Sequence, residues 1–281
     1  MEVVYTVAGV EKHLNKVRKE GFVIGFVPTM GALHKGHISL IEAAKEKSDF
    51  VVCSIFVNPV QFNDASDLKN YPRTPDDDMV VLKEAGCDLL FMPSVREVYP
   101  DGDIKEQFDF AQLDKVMEGI RRPGHFNGVA MVVKRLFEIV KPRKAFFGLK
   151  DYQQFCIIKK MRDNFNLPVE ILGCETVREV NGLAMSSRNK RLSSEQRERA
   201  SIIFSMLSMV KEQLNTLTPD EAKEKVVSAI NSQKDMTVDY FIIADISSLQ
   251  PITQWAETDS AAAFIAVQVG PVRLIDNLKL Y

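Results

Sequence analysis

Along the first two-thirds of the chain, short runs of almost unbroken apolar residues alternate with stretches in which apolar side chains recur at helical spacing. The runs are 22–27 (FVIGFV), 50–57 (FVVCSIFV), 88–92 (DLLFM), 145–148 (AFFG) and 169–173 (VEILG). Runs of that length, apolar on both faces, predict strands of a parallel sheet covered by helices on both sides. Between them, helices are expected at about 37–47, 75–85, 127–140 and 151–164. A first helix begins after Thr6, which can cap it, and puts Val7, Val10, Leu14 and Val17 on one face before Gly21 ends it. Such alternation predicts an α/β fold, a Rossmann-like doubly wound parallel sheet with right-handed crossovers.

The rhythm changes after about residue 175. Two longer amphipathic helices (about 194–215 and 219–233) precede candidate strands at 238–243, 262–269 and 272–275. Helices followed by adjacent strands predict a smaller C-terminal α+β domain instead of more parallel sheet. The expected division is 1–176 and 177–281, and no repeat of 20–50 residues or low-complexity segment interrupts it.

Composition narrows the class. The 281 residues are 46% hydrophobic and 26% charged, which suits a globular chain large enough to bury a core without staples. With 36 basic and 38 acidic side chains the net charge is -2, so nothing advertises nucleic acid or an acidic membrane surface as partner. No window approaches the roughly 18 unbroken apolar residues of a membrane span, and the first residues lack the apolar core of a signal peptide. Cys53, Cys87, Cys156 and Cys174 are scattered, with no metal-ligand spacing. A cytoplasmic protein with reduced thiols is expected.

The candidate chemistry begins at 28–37 (PTMGALHKGH), directly after a predicted strand. His34 and His37 are three apart where the next helix starts, so both imidazoles can face one side. That side adjoins a helix N-terminus, where unpaired N–H groups and the macrodipole favour phosphate. It is also the carboxyl end of a parallel strand, where open α/β sheets bind ligands. Neither GxGxxG nor GxxxxGK[ST] occurs, which argues against dinucleotide and P-loop sites. Asp76, Asp77 and Asp78 follow Thr74-Pro75 and suit the first turn of a helix, with Mg²⁺ binding as the alternative.

The HKGH segment resembles the HxGH signature of the nucleotidylyltransferase superfamily. Four more segments sharpen the likeness: 56–62 (FVNPVQF), 121–133 (RRPGHFNGVAMVV), 148–154 (GLKDYQQ) and 182–189 (GLAMSSRN). In this order and spacing the set closely resembles the pantoate–β-alanine ligase (pantothenate synthetase) family, from about residue 20 to 195. The resemblance implies ATP-dependent joining of pantoate and β-alanine through a pantoyl-adenylate, with release of pyrophosphate and then AMP. It implies Mg²⁺ carried chiefly on the ATP phosphates, and a homodimer.

Residue by residue, the likeness places ATP on Met30, Gly31, Ala32, Leu33, His34, Lys35, Gly36 and His37. A second ATP segment falls on Gly148, Leu149, Lys150 and Asp151, and a third on Val177, Met185, Ser186, Ser187 and Arg188. Catalytic roles fall on His37, His34, Lys150, Ser186 and Arg188. Gln61 and Gln154 match the pair that holds pantoate, Gln61 also lying beside β-alanine; a neutral amide suits hydroxyls because it both donates and accepts. The likeness also makes 1–176 the nucleotide- and pantoate-binding domain and 177–281 a domain covering the ATP site. Leu149 departs from the family, which often has a polar residue there. The residues themselves support such chemistry. Pantoate's carboxylate is ionised near neutral pH and needs no general base, so the demand is for fixed donors that stabilise charge. Two other classes remain to be separated by experiment: a nucleotidyltransferase that leaves its nucleotide on the product, and a non-catalytic nucleotide binder.

Overall fold

The computed structural model describes residues 1–62, 68–102 and 106–281. The chain divides into two compact units, one of Met1–Ala111, Arg121–Leu149 and Gln154–Glu175, the other of Gln112–Ile120, Lys150–Gln153 and Thr176–Tyr281.

The first unit is built on six parallel strands: β1 (Glu2–Val4), β2 (Ile24–Thr29), β3 (Phe50–Ile55), β4 (Leu89–Phe91), β5 (Lys144–Gly148) and β6 (Glu170–Cys174). Their order is β1-β4-β3-β2-β5-β6. Helices α1 (Val7–Lys19), α2 (Lys35–Lys47), α3 (Pro75–Glu84), α4 (Val95–Val98) and α6 (His125–Val140) run between them. The chain leaves β2 through α2 toward β3 and β4, then crosses back through α6 to enter β5 on β2's other side. Connections therefore reverse direction between β2 and β5, and the crevice at their carboxyl ends is where such sheets bind ligands. This is the expected doubly wound α/β sheet.

Alternate strand residues feed opposite faces. Phe26 and Phe147 meet Phe137 of α6, with ring centroids 6.3 and 6.4 Å apart. Val27 and Phe146 join Leu40, Ile41 and Ala44 of α2 and Leu82 of α3 in a buried cluster on the opposite face. Strand β2 starts two residues later than the apolar run suggests, because Val23 N–H is taken by the Asp49 carboxylate (2.8 Å) and Phe22 is exposed. It also runs on through Pro28 and Thr29, which pair with Ser54 and Ile55. The three-residue β1 and the short α4 carry too little periodicity to be foreseen.

The second unit holds an antiparallel sheet, β7 (Met236–Asp245), β8 (Ala261–Val269) and β9 (Val272–Lys279), in that order. Helix α8 (Ser194–Arg199) buries none of its residues, whereas α9 (Ile202–Glu212) and α10 (Pro219–Asn231) supply Ile203, Leu207, Val210, Val226 and Ile230 to a core with Phe241, Ile265 and Val267. The expected α+β domain is present, but the single helix predicted over 194–215 is two. Ser201 ends the first by returning its hydroxyl to the Glu198 carbonyl (2.6 Å), a local bond that competes with the helical ladder.

The short helix α5 (Met117–Arg121) and the first residues of α7 (Tyr152–Asn164) carry segments of this unit. Glu118 accepts from Arg273 (2.7 and 2.9 Å) and from Tyr240 (3.0 Å), and Arg273 also reaches Asp239 at 2.8 Å. Gln153 accepts from Glu118 N–H and donates to the carbonyls of Leu113 and Val116. Burial, with Glu118 beside it, pushes the Tyr240 hydroxyl's pKa up, so it stays a donor.

Among the described residues no helix is long and apolar enough to cross a membrane. All four cysteines are reduced thiols. Cys53 and Cys87 are buried, and burial pushes the Cys87 thiol up to about 12 and Cys53 well above its ordinary value. In native protein at pH 8, iodoacetamide is expected to leave both unmodified; mass spectrometry should find them alkylated only after unfolding.

Candidate active site

In the first unit the site grows from the turn between β2 and α2. Gly31 and Ala32 both have positive φ (80° and 50°), which swings the chain back so that His34 becomes the N-cap of α2. His34 Nδ1 accepts from Gly36 N–H (3.1 Å), and His37 Nδ1 accepts from His34 N–H (3.2 Å). The rings stand 4.1 Å apart. A nitrogen that accepts carries no proton, so each neutral imidazole has its proton on Nε2. A reciprocal cap thus presents two Nε2–H donors at a helix N-terminus, beside the β2–β5 switch point.

Gln61 lies in a 3-10 turn, Pro59–Gln61, after β3. Its side chain is buried, accepting from Asn58 Nδ2 (3.3 Å) and donating toward Met30 Sδ (3.1 Å), which joins two predicted site segments. Asn58 is held by Tyr99, whose hydroxyl donates to its Oδ1 (3.1 Å), and itself donates to the Gly128 carbonyl (3.1 Å). Gly128 has to be glycine: a Cβ there would meet Val60 O at 2.8 Å and Gln61 Cα at 2.9 Å. His125, within the 121–133 segment, donates from Nδ1 to the Gln61 carbonyl (2.8 Å), and its Nε2 then accepts from Arg122 (3.1 Å). Asn58, Gly128 and His125 were present in the segments singled out, but nothing in their spacing said that α6 packs on the Gln61 turn. Gln154 sits half-buried in the first turn of α7, one residue beyond the structural Gln153, and Gly148 ends β5.

The acidic trio divides. Asp76, Asp77 and Asp78 occupy the first turn of α3, as predicted for acids near the positive end of a helix. Asp78 is buried, and its two oxygens accept from Ala32 N–H (2.9 Å) and Leu33 N–H (2.8 Å). Among the described residues no three His, Cys, Asp or Glu side chains gather as a metal-ligand set.

In the second unit, Lys150 and Asp151 lie in a 3-10 turn, Leu149–Asp151, with Nζ 3.6 Å from the carboxylate. Val177 and Met185 pair across an antiparallel arm (3.0 Å) that closes at Arg178 and Ala184. Ser186 then caps the 3-10 turn Ser187–Arg191 by accepting from Arg188 N–H (3.3 Å). Arg178 anchors this arm: it grips the buried Asp276 at 2.6 and 3.0 Å, donates to Gly182 O (3.2 Å), and lies 3.8 Å over the Phe204 ring. Burial pushes the Asp276 carboxyl's pKa up, and the guanidinium pulls it back toward the ionised form. Next door, Asn277 donates to the Lys150 carbonyl (2.8 Å), so two adjacent residues of β9 hold both the lysine turn and the serine–arginine arm.

Sequence and structure comparisons decide the lineage. A profile described as Pantoate-beta-alanine ligase matches residues 2–279. The chain belongs to that family. It is 50% identical over 279 residues to the pantothenate synthetase of Porphyromonas gingivalis, covering 99% of both chains. It is 46% identical to that of Bacteroides fragilis over 279 residues, again 99% of both. The crystal structure of pantothenate synthetase from Thermus thermophilus superposes with a TM-score of 0.93 at 41% identity over 100% of both chains. Pantoate-beta-alanine ligase from Francisella tularensis, solved with beta-gamma ATP and beta-alanine, gives a TM-score of 0.83 at 36% identity, covering 100% of this chain and 98% of that one. As a member of the pantoate–β-alanine ligase family the chain is a ligase of pantothenate biosynthesis.

The packing of α6 on the Gln61 turn gives a direct test. Gly128→Ala is expected to lower stability by about 1–3 kcal/mol, the usual cost of overpacking against backbone. Denaturant unfolding of wild type and variant measures it; an unchanged midpoint would mean the helix and turn can separate freely.

Proposed function

We propose that this chain condenses pantoate with β-alanine in two steps, using ATP. The observation that carries the reading is the reciprocal cap of His34 and His37, which aims two Nε2–H donors from the N-terminus of α2. In the first step a pantoate carboxylate oxygen bonds to the α-phosphorus of ATP. The bond from that phosphorus to the bridging oxygen breaks, and its electron pair leaves with pyrophosphate. His37 and His34 hydrogen-bond the phosphate oxygens as charge grows on the leaving group, with Lys150, Ser186 and Arg188 as further donors. Such donors act by position and charge and need no covalent intermediate on the protein.

Met30, Gly31, Ala32, Leu33, Lys35 and Gly36 make the rest of the first ATP segment, and Gly148, Leu149, Asp151, Val177, Met185 and Ser187 the others. Gln61 and Gln154 hold pantoate, Gln61 also β-alanine. In the second step the β-alanine amine attacks the acyl carbon, the bond to AMP breaks, and the amine's proton passes to solvent. Mg²⁺ carried on the ATP phosphates would neutralise part of their charge, as at most nucleotide sites. The ligands of the Francisella relative support ATP and β-alanine as substrates. Likeness to the family supports a cytoplasmic homodimer.

Mass spectrometry of a reaction with Mg-ATP, pantoate and β-alanine is expected to give pantothenate and AMP in equal amounts. His37→Ala should lower the rate about 10²–10³-fold, the range for losing one such donor. Retention of labelled nucleotide in the product would favour a nucleotidyltransferase, and intact ATP would sink the ligase reading. ATP binding should also slow hydrogen exchange across residues 177–188; unchanged exchange there would remove that segment from the nucleotide site.

A further inference from the structure

We infer that Asp78 is a positioning residue for adenylation: its carboxylate sets the backbone turn from which His34 and His37 act. The inference rests on the ligase reading above and adds to it a residue outside the ATP and pantoate segments.

The turn is one a chain does not adopt by default. Ala32 carries a side chain yet sits at φ 50°, after Gly31 at φ 80°. A left-handed alanine is disfavoured by its own Cβ and persists only where surroundings hold it. Ala32 is completely buried, so water is not what satisfies its amide. The Asp78 carboxylate is: one oxygen takes Ala32 N–H at 2.9 Å and the other takes Leu33 N–H at 2.8 Å. Consecutive amides can both point at one carboxylate only where the backbone joining them curls, here at the positive φ of Ala32, so the pair of bonds selects the turn. The fit is close, since a Cβ on Gly31 would meet Asp78 Oδ2 and Ile55 Cγ2 at 3.0 Å.

The carboxylate is itself fixed. Thr74 Oγ1 donates to Asp78 Oδ1 (3.2 Å), and Asp78 N–H donates to the Thr74 carbonyl (2.9 Å) at the start of α3. Its charge lies in the first turn of that helix, where the dipole favours it. The turn passes directly into His34, whose place as N-cap gives both imidazoles their acceptor Nδ1 and their Nε2–H. Loosening the turn therefore disturbs where those protons point, without removing a group that touches substrate.

Asp78→Asn tests this. The amide keeps size and one acceptor oxygen but sets an NH₂ against the second backbone N–H, so one of the two bonds is lost. The two half-reactions are measured separately: pantoate-dependent exchange of pyrophosphate into ATP, and amide formation from supplied pantoyl-adenylate with β-alanine. Adenylation is expected to fall at least ten-fold in kcat, while amide formation changes less than two-fold. An equal loss in both steps would mean a merely structural role, and unchanged adenylation would overturn the inference. If wild type itself forms no adenylate, the ligase reading fails instead. Should Asp78→Asn fold poorly, Thr74→Val removes one bond that orients the carboxylate. It is expected to slow adenylation at least two-fold with amide formation unchanged; an equal loss in both steps, or no loss in adenylation, would again count against Asp78.

Discussion

A parallel sheet forces every strand to end at the same edge, and the first unit depends on that constraint. Its inner strands, β4, β3, β2 and β5, are buried on both faces, and because the strands are parallel each connection returns along a helix and re-enters at the far edge. The carboxyl ends of β2, β3 and β5 then lie side by side; the segments that follow β2 and β3 carry the histidine pair and Gln61, and Gly148 ends β5. Reversal of the winding between β2 and β5 leaves that edge uncovered by a crossover. Apolar burial thus determines where chemistry can sit before any polar side chain is considered.

Within that frame the polar residues are held by hydrogen bonds both to main chain and between side chains. His34 and His37 are fixed by amides of their own helix start, Gln61 by Asn58 and by α6 packing on its turn, and the β2–α2 turn by Asp78. In the second unit Arg178, Asp276 and Asn277 hold the serine–arginine arm and the lysine turn in the same way. A buried donor or acceptor left unpaired is costly, so each such bond removes alternative positions as well as adding attraction. For a reaction that works by placing donors around a phosphate, that loss of freedom is what the protein supplies.

Much of this was legible from pattern alone. The apolar runs marked β2 through β6 because strands covered by helices carry few polar residues, and the change of rhythm marked the α+β region. The likeness of five ordered segments led to the family that the profile and relatives then showed. Boundaries were less legible, since they depend on single side chains: Asp49 delays β2, and Ser201 splits the helix after Ser193. Asp76, Asp77 and Asp78 show the limit most sharply. Their spacing says helix start for all three, and nothing in it says that the third turns inward to amides 46 and 45 residues away in the chain.

What the amino-acid sequence determined by itself was local or periodic: the element types, the parallel class of the sheet, the two histidines one helical turn apart, and the family. Those follow from side-chain spacing and short-range hydrogen bonding, which act within a few residues. The tertiary structure alone decided which polar groups hold which. The protonated nitrogen of His125 is set by a carbonyl 64 positions earlier, the glycine at 128 by the backbone of Val60 and Gln61, and the anchor of the 177–185 arm by residues 276 and 277. Those pairings exist only once strand order has been settled by burial, because the partners are distant in the chain and carry no periodic signal.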